Sequence, residues 1–126
     1  MKRYRLKDLD REGQDHILNG IIPGKYLSKA GLGIKAGGHR SHDVGCDCPS
    51  CDGQGRHIHT DDSEVFIILQ GKAEIEINGS RTSLGAGDVV VCEAGEDHHL
   101  IADQDDPCIN LYLHAGEQPH PKQNRG

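Results

Sequence analysis

Between Lys72 and Ile77 the chain alternates strictly, with Ala73, Ile75 and Ile77 on one side and Lys72, Glu74 and Glu76 on the other. A period of two marks a strand with one buried face. Asn78-Gly79 follows. Both positions tolerate positive φ, which predicts a tight hairpin turn with Arg81–Leu84 as the returning strand. Four further runs read as short strands: Glu64–Leu69, Val89–Cys92, His98–Ala102 and Ile109–His114. Val65–Leu69 and Val89–Cys92 are apolar on both faces. One face would fill a core, and the other needs a cover, either the N-terminal segment or a second copy of the chain. Upstream, Lys2–Asp10 predicts an edge strand with charges interleaved among Tyr4, Leu6 and Leu9. Asp15–Ile22 predicts a short helical turn that stops at Pro23-Gly24. Lys25–Ala36 predicts one strand or two short ones, with Gly31 and Gly33 as breaks or bulges. Short antiparallel strands in this order predict an all-β, double-sheet jelly-roll barrel. In that organisation N-terminal strands over 1–36 cover the barrel, and 37–55 is a polar loop insertion rich in Cys, Gly and His. The barrel proper then spans 56–115, and 116–126 is a tail expected to be disordered.

Composition narrows the class. A chain of 126 residues supports one core, not two. Glycine is abundant at 17, while Tyr 3, Phe 1 and Trp 0 leave few aromatics, a balance that suits tight turns between strands better than helices. The net charge of −6 argues against a nucleic-acid-binding surface. No apolar run approaches the ~20 residues of a membrane span. The basic start Met1-Lys2-Arg3-Tyr4-Arg5 is not followed by a hydrophobic stretch, so no signal peptide is expected. Five cysteines, an odd number with three crowded together, suggest a reducing compartment. A cytoplasmic protein is the expectation.

The chemistry concentrates in two blocks. His57 and His59 occupy alternate positions of a strand and so share a face, about 6.5–7 Å apart along the chain. Glu64 lies on the next strand and His98 on a later one. These four side chains could converge on one ion, and three imidazoles with one carboxylate suit Fe, Mn, Ni, Cu or Zn better than Ca or Mg. The alternative is that all four are ordinary polar strand residues, which requires this register to arise by accident.

The pattern resembles the cupin superfamily. His57, His59, Glu64 and Gly71 match the first cupin motif, and Gly87, Gly95 and His98 match the second. Glu93 stands where the family usually has Pro, and Ala102 where it often has Asn; neither position is a metal ligand. The likeness runs from Gly53 to Leu113. It implies a double-stranded β-helix barrel with one divalent transition metal (Fe, Mn, Ni or Zn) on His57, His59, Glu64 and His98. It also implies a small polar ligand at the barrel mouth, and it favours a homodimer.

Cys46, Cys48 and Cys51 form a Cys-x-Cys-x2-Cys cluster ahead of the His pair. It reads as a second, thiolate-rich site for Zn, with His42, His39, Asp43 or Cys108 as fourth ligand, or as a loop with reduced thiols. His39, His42 and Arg56 are candidate catalytic or substrate-contacting groups, set against plain solvated loop residues. Arg40 is a further candidate grip for an anion. His99 should face away from His98, Cys92 and Cys108 read as small core residues, and Glu93, Glu96 and Asp97 as exposed turn acids. Two functional classes remain: a metal-dependent oxygenase or isomerase acting on a small polar molecule, and a non-catalytic module that binds or senses a small ligand or metal. No nucleic-acid or membrane partner is expected.

Overall fold

The computed structural model describes residues 1–8, 26–43, 45, 51–58 and 62–117. The expected helical turn at Asp15–Ile22 and residues 118–126 of the tail expected over 116–126 lie outside them, whereas Gly116 closes the last strand and is buried. Among the described residues there are eight strands: β1 (Lys2–Arg5), β2 (Tyr26–Lys35), β3 (Asp62–Gln70), β4 (Lys72–Ile77), β5 (Ser80–Gly85), β6 (Asp88–Cys92), β7 (His98–Ala102) and β8 (Cys108–Gly116). A single 3-10 turn, Leu6–Asp8, follows β1, so the first strand is shorter than the Lys2–Asp10 reading.

The strands form a five-stranded sheet in the order β1-β6-β3-β8-β2 and a three-stranded sheet in the order β5-β4-β7. Every strand pair is antiparallel. This is the expected all-β double-stranded β-helix. The larger sheet takes strands from both sides of the 37–55 loop, since β2 pairs with β8 from Tyr26↔Gly116 to Lys35↔Cys108.

Alternation decides which side chains go where. Phe66 and Ile68 of β3 and Val90 and Cys92 of β6 point between the sheets. There they meet Ala73, Ile75, Leu84, Leu100 and Cys108. Val65, Ile67, Val89 and Val91 point the other way and form a second cluster with Leu113, against which Tyr4, Leu6 and Leu111 pack. Strands apolar on both faces thus build two cores, and β1 with its 3-10 turn supplies part of the outer cover. Asp88 fastens that segment. It accepts from the Gly85 N–H at 2.7 Å and pairs with Arg5 at 2.9 Å and Arg3 at 3.2 Å. Burial pushes its carboxyl up, and the Gly85 N–H, Arg5 and Arg3 together outweigh this and hold it below the usual carboxylate value.

The Asn78-Gly79 turn has φ of 48° and 87°, as the hairpin requires. Gly31 and Gly33 correct a sequence expectation. They are neither breaks nor bulges, since β2 is continuous and its register shift falls between Leu27 and Lys29. A Cβ on Gly31 would stand 2.5 Å from the Tyr112 hydroxyl, and one on Gly33 would stand 3.1 Å from Asn110 Oδ1. The glycines leave room for two inward side chains of β8.

Candidate metal centre

His57, Glu64 and His98 meet in the space between the sheets, all buried. Each comes from a different element. His98 opens β7 and Glu64 sits near the start of β3. His57 lies in a short segment bridged to the free edge of β7, through the Ile58↔Asp97 bridge and a His98 N–H to His57 carbonyl bond of 3.1 Å. One nitrogen or oxygen from each lies within 4.8 Å of the others. His98 Nε2 is 2.8 Å and His57 Nε2 3.6 Å from Glu64 Oε1. The two rings stand edge to face with centroids 4.7 Å apart. His59, the remaining expected ligand, lies outside the described residues.

The tautomer of His98 bears on what the pocket holds. Its Nδ1 faces the Glu96 carbonyl oxygen at 3.1 Å, an acceptor only, so that nitrogen carries the hydrogen. Nε2 then presents a lone pair to Glu64 Oε1. Two lone pairs at such a distance repel, and a cation between them, a proton or a metal ion, relieves the repulsion. Imidazole, imidazole and carboxylate also match a transition metal's donor preferences, so the residues present fit one.

Three further groups surround this set. His114 of β8 places Nε2 3.3 Å from Glu64 Oε2, with its Nδ1 3.6 Å from Asp62 Oδ2. Glu64 therefore has one oxygen toward His57 and His98 and the other toward His114. His42 stacks flat on His57, with centroids 3.7 Å apart and planes 4° from parallel. Burial, with the neighbouring His57, Lys35 and His98, lowers the His42 ring to about 4 against a smaller opposing pull from Glu64. The ring is then neutral at neutral pH, as a ligand must be. Cys51 Sγ lies 3.2 Å from His57 Nδ1.

Of the expected accessory residues, His42 reaches the site. His39 is exposed, and its backbone pairs with Ala102. Arg56 is exposed. Arg40 is spent on ion pairs to Asp43 and Glu76, each 2.7 Å, so Glu76 is not part of a freely solvated face. Cys46 and Cys48 lie outside the described residues. His99 does point away from His98, but it is fully buried, with its two nitrogens 2.7 Å from the Ser41 carbonyl and 2.9 Å from Asp97. Asp97 is not an idle turn acid either, since it also accepts the His57 N–H at 2.7 Å. His114 and Asp62 escaped the sequence reading. The signal for His114 was the two-residue period of Cys108, Asn110, Tyr112 and His114 along β8.

With the geometry in place, comparison with known proteins is decisive for the family. The cupin domain family matches residues 49–114. The chain belongs to the cupin family. A search of the curated proteins found no match. Among solved structures, a cupin 2 conserved barrel domain protein from Salinispora arenicola superposes with a TM-score of 0.52 at 23% identity, covering 68% of this chain and 60% of that one. A predicted oxalate decarboxylase from Thermotoga maritima gives 0.54 at 21%, covering 69% and 64%. A sugar phosphate isomerase of the cupin superfamily from Silicibacter pomeroyi gives 0.56 at 18%, covering 73% and 52%. The chain spans less than two thirds of the length of each, and these likenesses support the fold. No helix among the described residues is long and apolar enough to cross a membrane.

Proposed function

We propose that this cupin is a metal-dependent enzyme that binds a small, oxygen-bearing polar molecule beside one divalent transition metal on His57, Glu64 and His98, with His59 as fourth ligand. The observation that carries the reading is the buried Glu64 carboxylate turned toward two imidazole nitrogens, an arrangement that a cation stabilises and that hydrocarbon alone does not. Bound there, the ion would supply Lewis-acid polarisation of a carbonyl or enediol, or oxygen activation if it is redox-active. The protein's own contribution is a polar wall. Asn110 is buried, and neither polar atom of its side-chain amide has a hydrogen-bond partner among the described residues. Such a group is costly unless something pairs with it, and a ligand with both donor and acceptor atoms would do so. His114 and Tyr112 share its face of β8. The fold neighbours described as a predicted oxalate decarboxylase and a sugar phosphate isomerase support a small, oxygen-rich substrate, and the second supports isomerase chemistry. Fe, Mn, Ni and Zn forms should be prepared and assayed for turnover of small hydroxy acids, oxo acids and sugar phosphates. Turnover by one form that disappears in the His57→Ala, His59→Ala variant supports the reading. Ligand binding without turnover by any form would make the protein a binding or sensing module instead.

We also propose a cytoplasmic homodimer built on the outer face of the large sheet. Leu32 and Ile34 of β2 are 69% and 71% exposed there, paired with partly exposed Leu111 and Ile109 of β8. An apolar edge of this kind invites a second copy. Sedimentation should give a dimer that Leu32→Lys, Ile34→Lys converts to monomer; a wild-type monomer at micromolar concentration would contradict it.

A further inference from the structure

His42, Cys51 and His57 each offer a metal-binding atom within 4.8 Å of the other two, outside the ligand set of the barrel ion except for His57. His57 presents opposite edges of one ring to two places. Nε2 faces Glu64, and Nδ1 faces Cys51 Sγ at 3.2 Å. We infer that His42, Cys51 and His57 Nδ1 form a second cation site at the barrel mouth, for a thiophilic ion such as Zn2+ or Cu+.

The donor distances fit such an ion once the His42 ring turns out of its flat stack on His57, because the in-plane lone pairs of two parallel rings do not converge. Tetrahedral Zn with its usual bond lengths puts sulfur and nitrogen ligands roughly 3.3–3.6 Å apart, within the observed spread. Thiolate and imidazole donors select Zn and Cu over Mg or Ca. The backbone is committed to this placement at both ends of the loop. Cys51 is bridged to His57 main chain to main chain. His42 has φ of 53°, a left-handed conformation that non-glycine residues adopt uncommonly. The preceding Ser41 is pinned to β7, with its N–H on the Leu100 carbonyl at 2.9 Å and its hydroxyl accepting the Leu100 N–H at 2.8 Å. A strained backbone that turns an imidazole onto a facing ring and a thiol is characteristic of ligand sites.

Sharing His57 has a consequence. A neutral imidazole has one lone pair, so it serves one ion at a time unless it loses both hydrogens and bridges. Filling the barrel site should therefore weaken the mouth site, and disabling the barrel site should strengthen it.

Cobalt(II) titration of the full chain tests this, because thiolate ligation gives a near-ultraviolet charge-transfer band that nitrogen and oxygen ligands do not. The wild type should show the band. Cys51→Ser should abolish it, and His42→Ala should weaken the affinity that it reports by on the order of tenfold or more. In Glu64→Gln, His98→Ala, where the barrel ion is disabled, the band should persist and appear at lower cobalt concentration. Loss of the band in that variant would assign the thiolate to the barrel ion and overturn a separate site. Persistence in Cys51→Ser would overturn the ligand assignment. Because substitutions can disturb the fold, alkylation of Cys51 in the wild type, mapped by mass spectrometry, provides a second readout. Zn2+ should slow it, and an unchanged rate would also refute the site. Failure of the barrel metal alone would leave the cobalt–thiolate band in place, so the two readings fail separately.

Discussion

The space between the two sheets has two unlike ends built by the same strands. At one end Glu64 of β3, His98 of β7 and His114 of β8 point inward. Two residues away along each strand the same inward register carries Phe66, Leu100 and Tyr112, and beyond Phe66 and Tyr112 lie Ile68 and its partner Asn110. One layer is imidazole and carboxylate, and the next is hydrocarbon except on β8, where Tyr112 and Asn110 carry polar groups. The hydrocarbon layer needs nothing from solution, since its burial is favourable by roughly 25 cal/mol per Å². The polar layer is desolvated by the same walls, and its carboxylate is set among three imidazoles. The contrast teaches a division of labour: the apolar layer supplies rigidity, and the polar layer, on the reading proposed above, would use it to hold an ion in fixed geometry.

The sharpest way to break this comparison is to cut each layer once. Leu100→Ala removes a fully buried side chain and should lower stability by about 2–5 kcal/mol, read by denaturant unfolding, while the metal-to-protein ratio stays at the wild-type value. Glu64→Gln should do the reverse. It should empty the barrel site by elemental analysis yet cost the metal-free protein far less than Leu100→Ala does. If Glu64→Gln proved the more destabilising in metal-free protein, the polar layer would be structural and the division would not hold.

A smaller effect probes the polar layer from its far side. His114 contacts the Glu64 oxygen that does not face His57 and His98, and Asp62 backs it. This places it to orient the carboxylate. Removing such a partner typically weakens metal affinity 10–100-fold. His114→Ala should fall in that range in a competition assay with a metal-sensitive dye, and His114→Gln should recover part of the loss. Unchanged affinity in His114→Ala would reduce the contact to packing.

The two layers were not equally legible. The alternation of Lys72–Ile77 and the turn at Asn78-Gly79 are local, and local rules found them. The doubly apolar runs of β3 and β6 announced two cores for the same reason. Strand β8 was read less fully because its apolar residues Leu111 and Leu113 face the outer cluster, while Asn110, Tyr112 and His114 face in. Ordinary alternation puts the apolar side inward, and here the interior is polar where the function lies. Gly31 and Gly33 make sense only through residues some eighty positions away, Tyr112 and Asn110, a pairing that no local rule shows. Ligand type and spacing named His57, Glu64 and His98. Nothing local says that His42 would stack on one of them, or that a buried His99 would staple the loop to β7.

The smallest expected effect compares two buried carboxylates. Glu64 is faced by the imidazoles of His57, His98 and His114, whereas Asp88 has permanent cations, Arg3 and Arg5, together with the Gly85 N–H. Asp88's pKa is therefore lower in the folded state than in the unfolded chain, where it sits near the ordinary value of about 3.9. A depressed carboxylate stabilises fully above the unfolded pKa and loses that contribution as pH falls through the folded one. Asp88 should thus support stability at neutral pH and give it up only below about pH 4. Both arginines are partly exposed, so salt screening should shrink the effect. In metal-free protein, thermal unfolding followed between neutral pH and pH 3 should show Asp88→Asn less stable than wild type at neutral pH, with the gap closing toward the acid end. The loss should be first felt in β1, whose amide protons should exchange faster while those of β3 keep their protection. A gap that stayed constant with pH would mean that Asp88 works as a neutral hydrogen-bonding post, and that the chain's own cations do not distinguish it from Glu64.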